Sequence, residues 1–186
     1  MKAINCGWVG KTEERMKHLI VYFSRKGENY CAGSIKTLAK GNTQIAAELI
    51  QSAIGGELFE LVPVTAYSEG YRACVEEAKK EFHEGARPAL KAVPESLDGY
   101  DVVFVGYPNW CGTMPMPVFS FLEKFDWTGR KIAPFCTNEG SGMGVSERDL
   151  QKVCAGAIFK DGLSVRGSSV AQSADMIARW AKECLR

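Results

Sequence analysis

Residues 18–23, HLIVYF, are the stretch of sequence that decides the fold. The run is apolar and rich in strand-forming residues, and it lacks the polar alternation of a strand with one face in water. It therefore predicts a central strand that is buried on both sides of a sheet. Residues 101–107, DVVFVGY, repeat the pattern later in the chain. Two such strands are typical of a parallel sheet covered by helices on both faces.

Helices and further strands alternate around these two runs. Apolar residues at helical spacing predict helices over 42–53, 69–82, 118–125, 146–154 and 169–186, and strands are predicted at 57–64, at 131–136 and within 157–165. Five strands that alternate with helices predict an α/β fold, a three-layer sandwich with a parallel sheet in the middle.

Composition excludes several classes of protein. Hydrophobic residues make up 46% of the 186 residues, charged residues make up 24%, and the formal net charge is +1. We therefore expect no nucleic-acid partner and no membrane partner, since there is no basic surplus and no apolar run near the ~20 residues that cross a bilayer. Seven scattered cysteines form no C-x-x-C pair, and only two histidines accompany them. This pattern predicts no metal site and reduced, mostly buried thiols in the cytoplasm.

The first 16 residues differ from the rest of the chain. They are polar and mixed in character, and they contain no continuous apolar stretch that would indicate a secretory signal. We expect residues 1–16 to be a tail outside the core and residues 17–186 to form one folded domain.

The loop after the first strand is a candidate phosphate site. Ligands of open parallel sheets bind beyond the carboxyl ends of the strands. Ser24 and Lys26 follow the first strand, and Asn42 and Thr43 open the next helix. Short polar side chains and free N–H groups at a helix N-terminus bind phosphate, and the helix dipole favours its charge. The alternative is that Asn42 and Thr43 only cap the helix.

The loops after the third and fourth strands are candidate ligand contacts, the first through an aromatic side chain and the second through a flexible backbone. Residues 108–117, PNWCGTMPMP, place Trp110 where an indole can stack on a flat ring; the alternative is a tryptophan folded into the core. We expect Cys111 to pack as a small residue, because nothing nearby clearly lowers its thiol pKa. Residues 140–144, GSGMG, let the backbone approach a ligand closely, or form only a flexible turn. A hydrolase triad is not expected, since neither histidine falls in a candidate loop, and no catalytic residue is predicted.

Four blocks of the sequence together resemble the flavodoxin-like family, in a bacterial branch with a split phosphate loop. They are LIVYFSRKG at 19–27, GNTQIAAELI at 41–50, VFVGYPNWCGTMPMPVFSFLE at 103–123 and PFCTNEGSGMG at 134–144. The resemblance implies a five-stranded parallel sheet of order 2-1-3-4-5 with FMN at its carboxyl edge. It implies phosphate contacts from Ser24, Arg25, Lys26, Asn42 and Thr43. It also implies ring contacts from Pro108, Asn109, Trp110, Cys111, Gly112, Thr113, Glu139, Gly140, Ser141 and Gly142.

Two departures from the family's pattern bear on the flavin. Residues 28–41 interrupt a phosphate loop that is usually compact, and this excursion could carry Tyr30 near the flavin. The loop after the fourth strand lacks the aromatic residue that covers the outer flavin face in electron-carrier flavodoxins. We therefore expect Trp110 to cover one face and the other face to stay open, which suits a nicotinamide or a quinone and is also compatible with a flavodoxin that meets protein partners.

The resemblance implies a flavodoxin-type FMN protein that carries electrons between redox partner proteins or small-molecule donors and acceptors. The alternative is an NAD(P)H-dependent quinone or flavin oxidoreductase on the same fold. A third possibility is a binding module that has lost its flavin. Fold alone does not choose among these functions, so the sequence leaves open whether the protein is an enzyme.

Overall fold

The computed structural model describes residues 17–186, which form a central sheet with helices on both faces. The strands are β1 (His18–Tyr22), β2 (Gly27–Cys31), β3 (Ser34–Leu38), β4 (Glu57–Glu60), β5 (Val102–Pro108), β6 (Lys131–Asn138), β7 (Ile158–Phe159) and β8 (Leu163–Arg166). The helices are α1 (Asn42–Ile54), α2 (Tyr71–Glu84), α3 (Met116–Leu122), α4 (Ser146–Val153) and α5 (Ala174–Cys184). The predicted tail, residues 1–16, lies outside the described residues. Within residues 17–186 no helix combines the length and the apolar character needed to cross a membrane.

The central sheet is parallel, and its strands run in the order β4-β1-β5-β6-β7, with β8 also paired to β6. The α/β fold is therefore confirmed. The strand order differs from the predicted 2-1-3-4-5 only at the last position, where two short strands stand in place of one. Between them, the carbonyl of Asp161 accepts a hydrogen bond from the Trp180 indole at 2.8 Å. Residues 160–162, between the two short strands, make no ladder pair with β6.

The core forms two layers, one on each side of the sheet. Successive residues of a strand point to opposite faces, so Leu19 packs with α3 residues such as Val118, whereas Ile20 packs with Ile50 of α1 and Ile177 of α5. All five side chains are fully shielded from solvent. This confirms that residues 18–23 contain a strand buried on both faces.

Several element boundaries differ from the prediction. The strand predicted at 57–64 ends at Glu60, and Pro63, which has no N–H for a ladder, pairs only with Leu90 in the next loop. The final helix begins at Ala174, because residues 167–169 and 171–173 form tighter 3₁₀ turns ahead of it.

A two-stranded antiparallel hairpin, β2–β3, was missed by the sequence patterns. It occupies the segment interpreted as an interruption of the phosphate loop, and it pairs residues 27–31 with residues 34–38. Its tip is Ala32–Gly33, with φ angles of 51° and 88°, the positive values of a type I′ turn. Such turns usually carry Asn-Gly or Asp-Gly, so an alanine at the first position gave little signal.

His18 should make the stability of the fold depend on pH. Its side chain is buried, and Nδ1 has no hydrogen-bond partner among the described residues. Burial lowers the pKa of His18, with the Asp101 charge and the Lys17 backbone acting in the opposite direction. As the pH falls, His18 is therefore protonated in the unfolded chain before it is protonated in the folded one. The contribution of neutral His18 to the free energy of unfolding is complete above about pH 6.5 and is lost as the pH falls through the folded pKa.

We therefore expect His18→Leu to lose less stability than the wild type between about pH 7 and about pH 5. Urea unfolding at several pH values measures this, with the free energy of unfolding compared at each pH. Glu60 and Glu81, whose pKa values burial raises, are the same in both proteins, so the difference isolates His18. Parallel pH profiles for the two proteins would contradict the assignment.

Candidate functional site

Three loops meet at the carboxyl ends of the parallel strands. They follow β1 (residues 23–26), β5 (residues 109–115) and β6 (residues 139–145). Together with the hairpin and the start of α2, they enclose a cleft of about 340 Å³. The cleft is lined by Arg25, Asn29, Tyr30, Asn42, Tyr71, Pro108, Asn109, Trp110, Thr137, Asn138, Glu139, Ser141 and Gly167. Ligands of open parallel sheets bind at this edge.

The structure brings about half of the predicted site residues into this cleft. Those that line it are Arg25, Asn42, Pro108, Asn109, Trp110, Glu139 and Ser141. The others lie in the same loops or, for Thr43, in the first turn of α1, but outside the lining: Ser24, Lys26, Thr43, Cys111, Gly112, Thr113, Gly140 and Gly142. Asn42 at the start of α1, Trp110 in the loop after β5 and Ser141 in the loop after β6 can therefore contact one small molecule.

The N-terminus of α1 carries unpaired backbone donors. The Ser24 hydroxyl accepts the N–H of Gln44 at 3.0 Å, and the carbonyl of Gly41 accepts the N–H of Ile45. Within residues 17–186 no acceptor meets the N–H groups of Asn42 and Thr43. The first turn of α1 contains no acidic residue. No acidic side chain of α1 itself therefore offsets the positive end of the helix, which favours an anion.

Close packing requires glycine at the start of α1. A Cβ on Gly41 would lie 2.2 Å from the Ser24 hydroxyl oxygen and 2.6 Å from the Arg25 carbonyl oxygen. The backbone of the loop after β1 thus wraps closely around the helix N-terminus and forms a small cradle there. Thr43 lies under the cradle, where its hydroxyl shares a 2.7 Å hydrogen bond with the hydroxyl of Thr137.

Arg25 holds the neighbouring backbone. Its guanidinium donates to the carbonyls of Ser68, at 2.8 Å, and Glu69, at 2.6 Å, and also to the carbonyl of Glu28. These bonds join the loop after β1 to the hairpin and to the approach of α2. Arg25 brings positive charge to the cleft wall, but these donors are already engaged.

Trp110 stands at the start of a tight turn. Its backbone exchanges two 3.0 Å hydrogen bonds with Thr113, and the central residues Cys111 and Gly112 have φ angles of 53° and 79°. The indole packs edge-on against Phe23 and Tyr67, with ring centroids 5.2 Å and 5.1 Å apart. Trp110 thus packs partly against the core and also lines the cleft, and stacking of its indole on a flat ring stays a prediction.

The turn residues beside Trp110 differ in their surroundings, and their contact with a flavin ring stays a prediction. The Thr113 side chain is buried and donates to Asp149 at 2.7 Å. Cys111 is exposed, and desolvation raises the pKa of its thiol despite the opposing charge of Lys79. This thiol is therefore not activated as a nucleophile.

The loops after β5 and β6 are locked to each other. The Asn109 amide donates to the carbonyl of Gly142 at 2.8 Å. Asn138 shapes the second loop, because its side-chain oxygen accepts the N–H groups of Gly140 and Gly142 at 2.9 Å and 3.0 Å. A Cβ on Gly144 would lie 2.0 Å from the carbonyl oxygen of Gly112 in the facing loop, so the two backbones touch.

Glu139 fastens the hairpin to the sheet edge. One carboxylate oxygen accepts the N–H of Ala32 at the hairpin tip, at 3.1 Å, and the other accepts the N–H of Ser168, at 2.7 Å. The carboxylate of Glu139 is therefore used for positioning, although its side chain lines the cleft.

Sequence reasoning missed several residues of the cleft. Asn29, Tyr71, Thr137, Asn138 and Gly167 were absent from the predicted site, and Tyr30 was named only as a side chain near the flavin. The cleft therefore has aromatic side chains besides Trp110, although the loop after β6 has none. Alternating apolar and polar residues over 27–38 would have predicted the hairpin that carries Tyr30. The sequence around Tyr71 and Gly167 contains no pattern that predicts their place at the site.

A larger cleft lies at the opposite edge of the sheet. Its volume is about 740 Å³, and Lys17, His18, Glu57 and Tyr100 are among the residues that line it. It sits at the amino ends of β1 and β5, away from the strand exits where the loops converge. Size alone therefore does not identify the functional site.

The comparison with protein families gives one result that spans nearly the whole described chain. The sequence model of a family described as Flavodoxin matches residues 17–184. None of the curated proteins compared with the chain matches it.

Solved structures give concordant matches. A protein from Bacteroides eggerthii described as a flavoprotein is 30% identical over 87% of this chain and 98% of its own, with a TM-score of 0.66. A second, from Bacteroides uniformis, is 26% identical over 90% of this chain and 98% of its own, with a TM-score of 0.70. A flavoprotein from Lactobacillus acidophilus, solved in complex with FMN, is 21% identical over 84% and 97% with a TM-score of 0.62, and that likeness concerns the fold.

Proposed function

This chain belongs to the flavodoxin family, and on that premise we propose that it binds FMN without a covalent link and uses it to transfer electrons. One observation carries the proposal. Three loops that are far apart in the sequence line a single cleft beside the N-terminus of α1, whose first turn contains no acidic residue. This arrangement offers an anion site and an aromatic wall within reach of one molecule.

The phosphate end of FMN is assigned to the cradle at the start of α1. The unpaired N–H groups of Asn42 and Thr43 are its donors, and Ser24 and Gly41 shape the backbone around them. The exposed Lys26 and the engaged Arg25 supply positive charge. The residues present fit a phosphate that is bound by backbone N–H groups and attracted by nearby side-chain charge, because phosphate binding at a helix end depends chiefly on backbone donors.

The ring end is assigned to the wall built by Pro108, Asn109 and Trp110. The Trp110 indole excludes water from a flat ring placed against it, and Phe23 and Tyr67 keep the indole in place. When bound, FMN supplies the redox chemistry by accepting and returning electrons. The residues of this chain bind it, orient it and set the polarity around it.

The proposed exchange of electrons is with redox partner proteins or with small-molecule donors and acceptors. The proposed setting is the cytoplasm, where thiols stay reduced. Five of the six cysteines in the described part of the chain are buried, and all six are free. The folded domain is proposed to comprise residues 17–186.

Flavin titration of the purified protein tests the cofactor assignment. We expect FMN to bind at least roughly tenfold more tightly than riboflavin, because only FMN carries the phosphate that the α1 cradle would hold. Quenching of flavin fluorescence measures both dissociation constants. Equal affinities would contradict the phosphate site, and no binding of either flavin would reject the proposed function.

Stepwise reduction tests the electron-transfer role. A carrier should show two separate stages of absorbance change as electrons are added, together with negligible steady-state oxidation of NAD(P)H in the presence of a quinone. Reduction in one step accompanied by rapid turnover of NAD(P)H would contradict the carrier function and favour the oxidoreductase.

A further inference from the structure

We infer that Tyr30, carried on the β2–β3 hairpin, is a second aromatic side chain that contacts the FMN ring, an inference that rests on the proposed function. Tyr30 and Trp110 line the same cleft although they come from separate loops. The sequence indicated an open flavin face because the loop after β6 has no aromatic residue. The hairpin fills that role from a different place in the chain.

The hairpin is held firmly beside the cleft. Near its start, the Glu28 carboxylate accepts the N–H of Tyr71 in the first turn of α2, at 2.8 Å. At its tip, the N–H of Ala32 is bound by Glu139, at 3.1 Å. Two anchors on different elements fix the strand that carries Tyr30, so the position of this side chain is determined by the fold.

The Tyr30 ring is supported on one side and accessible to solvent. It stacks on Tyr71, with ring centroids 6.4 Å apart and planes at 29°, and the residue is 45% exposed. Tyr71 thus orients the Tyr30 ring within the cleft lining and leaves much of it in water. Contact with a planar ligand would remove that apolar surface from water.

Such a contact should strengthen binding of the isoalloxazine ring and leave binding of the phosphate unchanged. Stacking of an aromatic side chain on a heteroaromatic ring changes affinity by roughly tenfold to a hundredfold. FMN and riboflavin share the isoalloxazine ring and differ in the phosphate. A side chain that contacts the ring therefore affects both flavins equally, whereas a side chain at the α1 cradle affects FMN alone.

Flavin titrations of the full-length protein test the inference with three variants. We expect Tyr30→Ala to raise the dissociation constants of FMN and riboflavin by the same factor, roughly tenfold or more. Tyr30→Phe, which keeps the ring, should bind as the wild type does. The matched control is Ile35→Ala: Ile35 pairs with Tyr30 across the hairpin and is also 45% exposed, but it does not line the cleft. This control should leave both constants unchanged.

The outcomes separate this inference from the proposed function. If the wild type binds FMN and Tyr30→Ala binds it within about twofold of that affinity, the ring contact is wrong and FMN binding stands. An equal loss in Ile35→Ala would attribute the effect to the hairpin as a whole and overturn the inference. A loss confined to FMN would place Tyr30 at the phosphate and also overturn it. Failure of the wild type to bind any flavin rejects both proposals.

Discussion

Gly144→Ala should weaken FMN binding by roughly a hundredfold, about 2.8 kcal/mol. Gly144 has a φ angle of 58°, and an added Cβ would lie 2.0 Å from the carbonyl oxygen of Gly112 and 2.7 Å from its carbon. Both are backbone atoms, so no side chain can move aside. The loops after β5 and β6 must separate, and a binding site loosened by about 1 Å loses much of its function.

Gly85→Ala is the control variant that introduces backbone strain without a close contact between loops. Gly85 has a φ angle of 60°, nearly that of Gly144, and nothing lies within 4 Å of its added Cβ. It ends α2, outside the cleft lining. We expect this variant to lose about 1 kcal/mol of stability from the left-handed conformation and to bind FMN normally. Similar FMN affinities for the two variants would show that the contact between the loops is not needed for binding.

Gly106→Ala should produce the largest loss of stability, about 3 kcal/mol. Gly106 lies in β5 directly beside Phe135 of β6. An added Cβ would lie 2.1 Å, 2.4 Å and 2.8 Å from three carbons of the Phe135 ring. The ring is fully buried and packs against Trp180 of α5, so it cannot turn away without displacing α5. Urea unfolding measures the loss.

A double-variant cycle tests that explanation. Phe135→Leu removes the atoms that would overlap the new methyl group, so Gly106→Ala should cost much less in that background. We expect a coupling free energy of about 0.5–3 kcal/mol, the range for side chains in contact. Additive effects of the two substitutions would mean that Gly106→Ala destabilises the fold by some other route.

The loops of the site were predictable because they follow a general rule. Buried strands exit at the carboxyl edge of a parallel sheet, and ligands bind there. Asn42, Trp110 and Ser141 were accordingly placed at one site from their positions after strands, and they line one cleft. The rule does not say which side chain of a loop points into the cleft. Thr113 illustrates this, since its hydroxyl is bonded to Asp149 of α4.

The hairpin was not predictable in the same way. Its strands have few buried residues, so no strong apolar alternation marked them, and its turn lacks the usual residues. Its anchors are equally hidden, because Ala32 and Glu139 are 107 residues apart in the chain. Because the sequence did not predict the hairpin, it indicated an open flavin face.

The sequence by itself determined the alternation of buried strands and amphipathic helices, and hence the sheet edge at which the loops gather. These features depend on hydrophobic period and chain direction, which neighbouring residues encode. Only the tertiary structure decided which side chains line the cleft, that Glu139 and Arg25 position backbone, and that Tyr30 stands on Tyr71. Those outcomes depend on contacts between residues distant in the chain, which the folded backbone alone brings together.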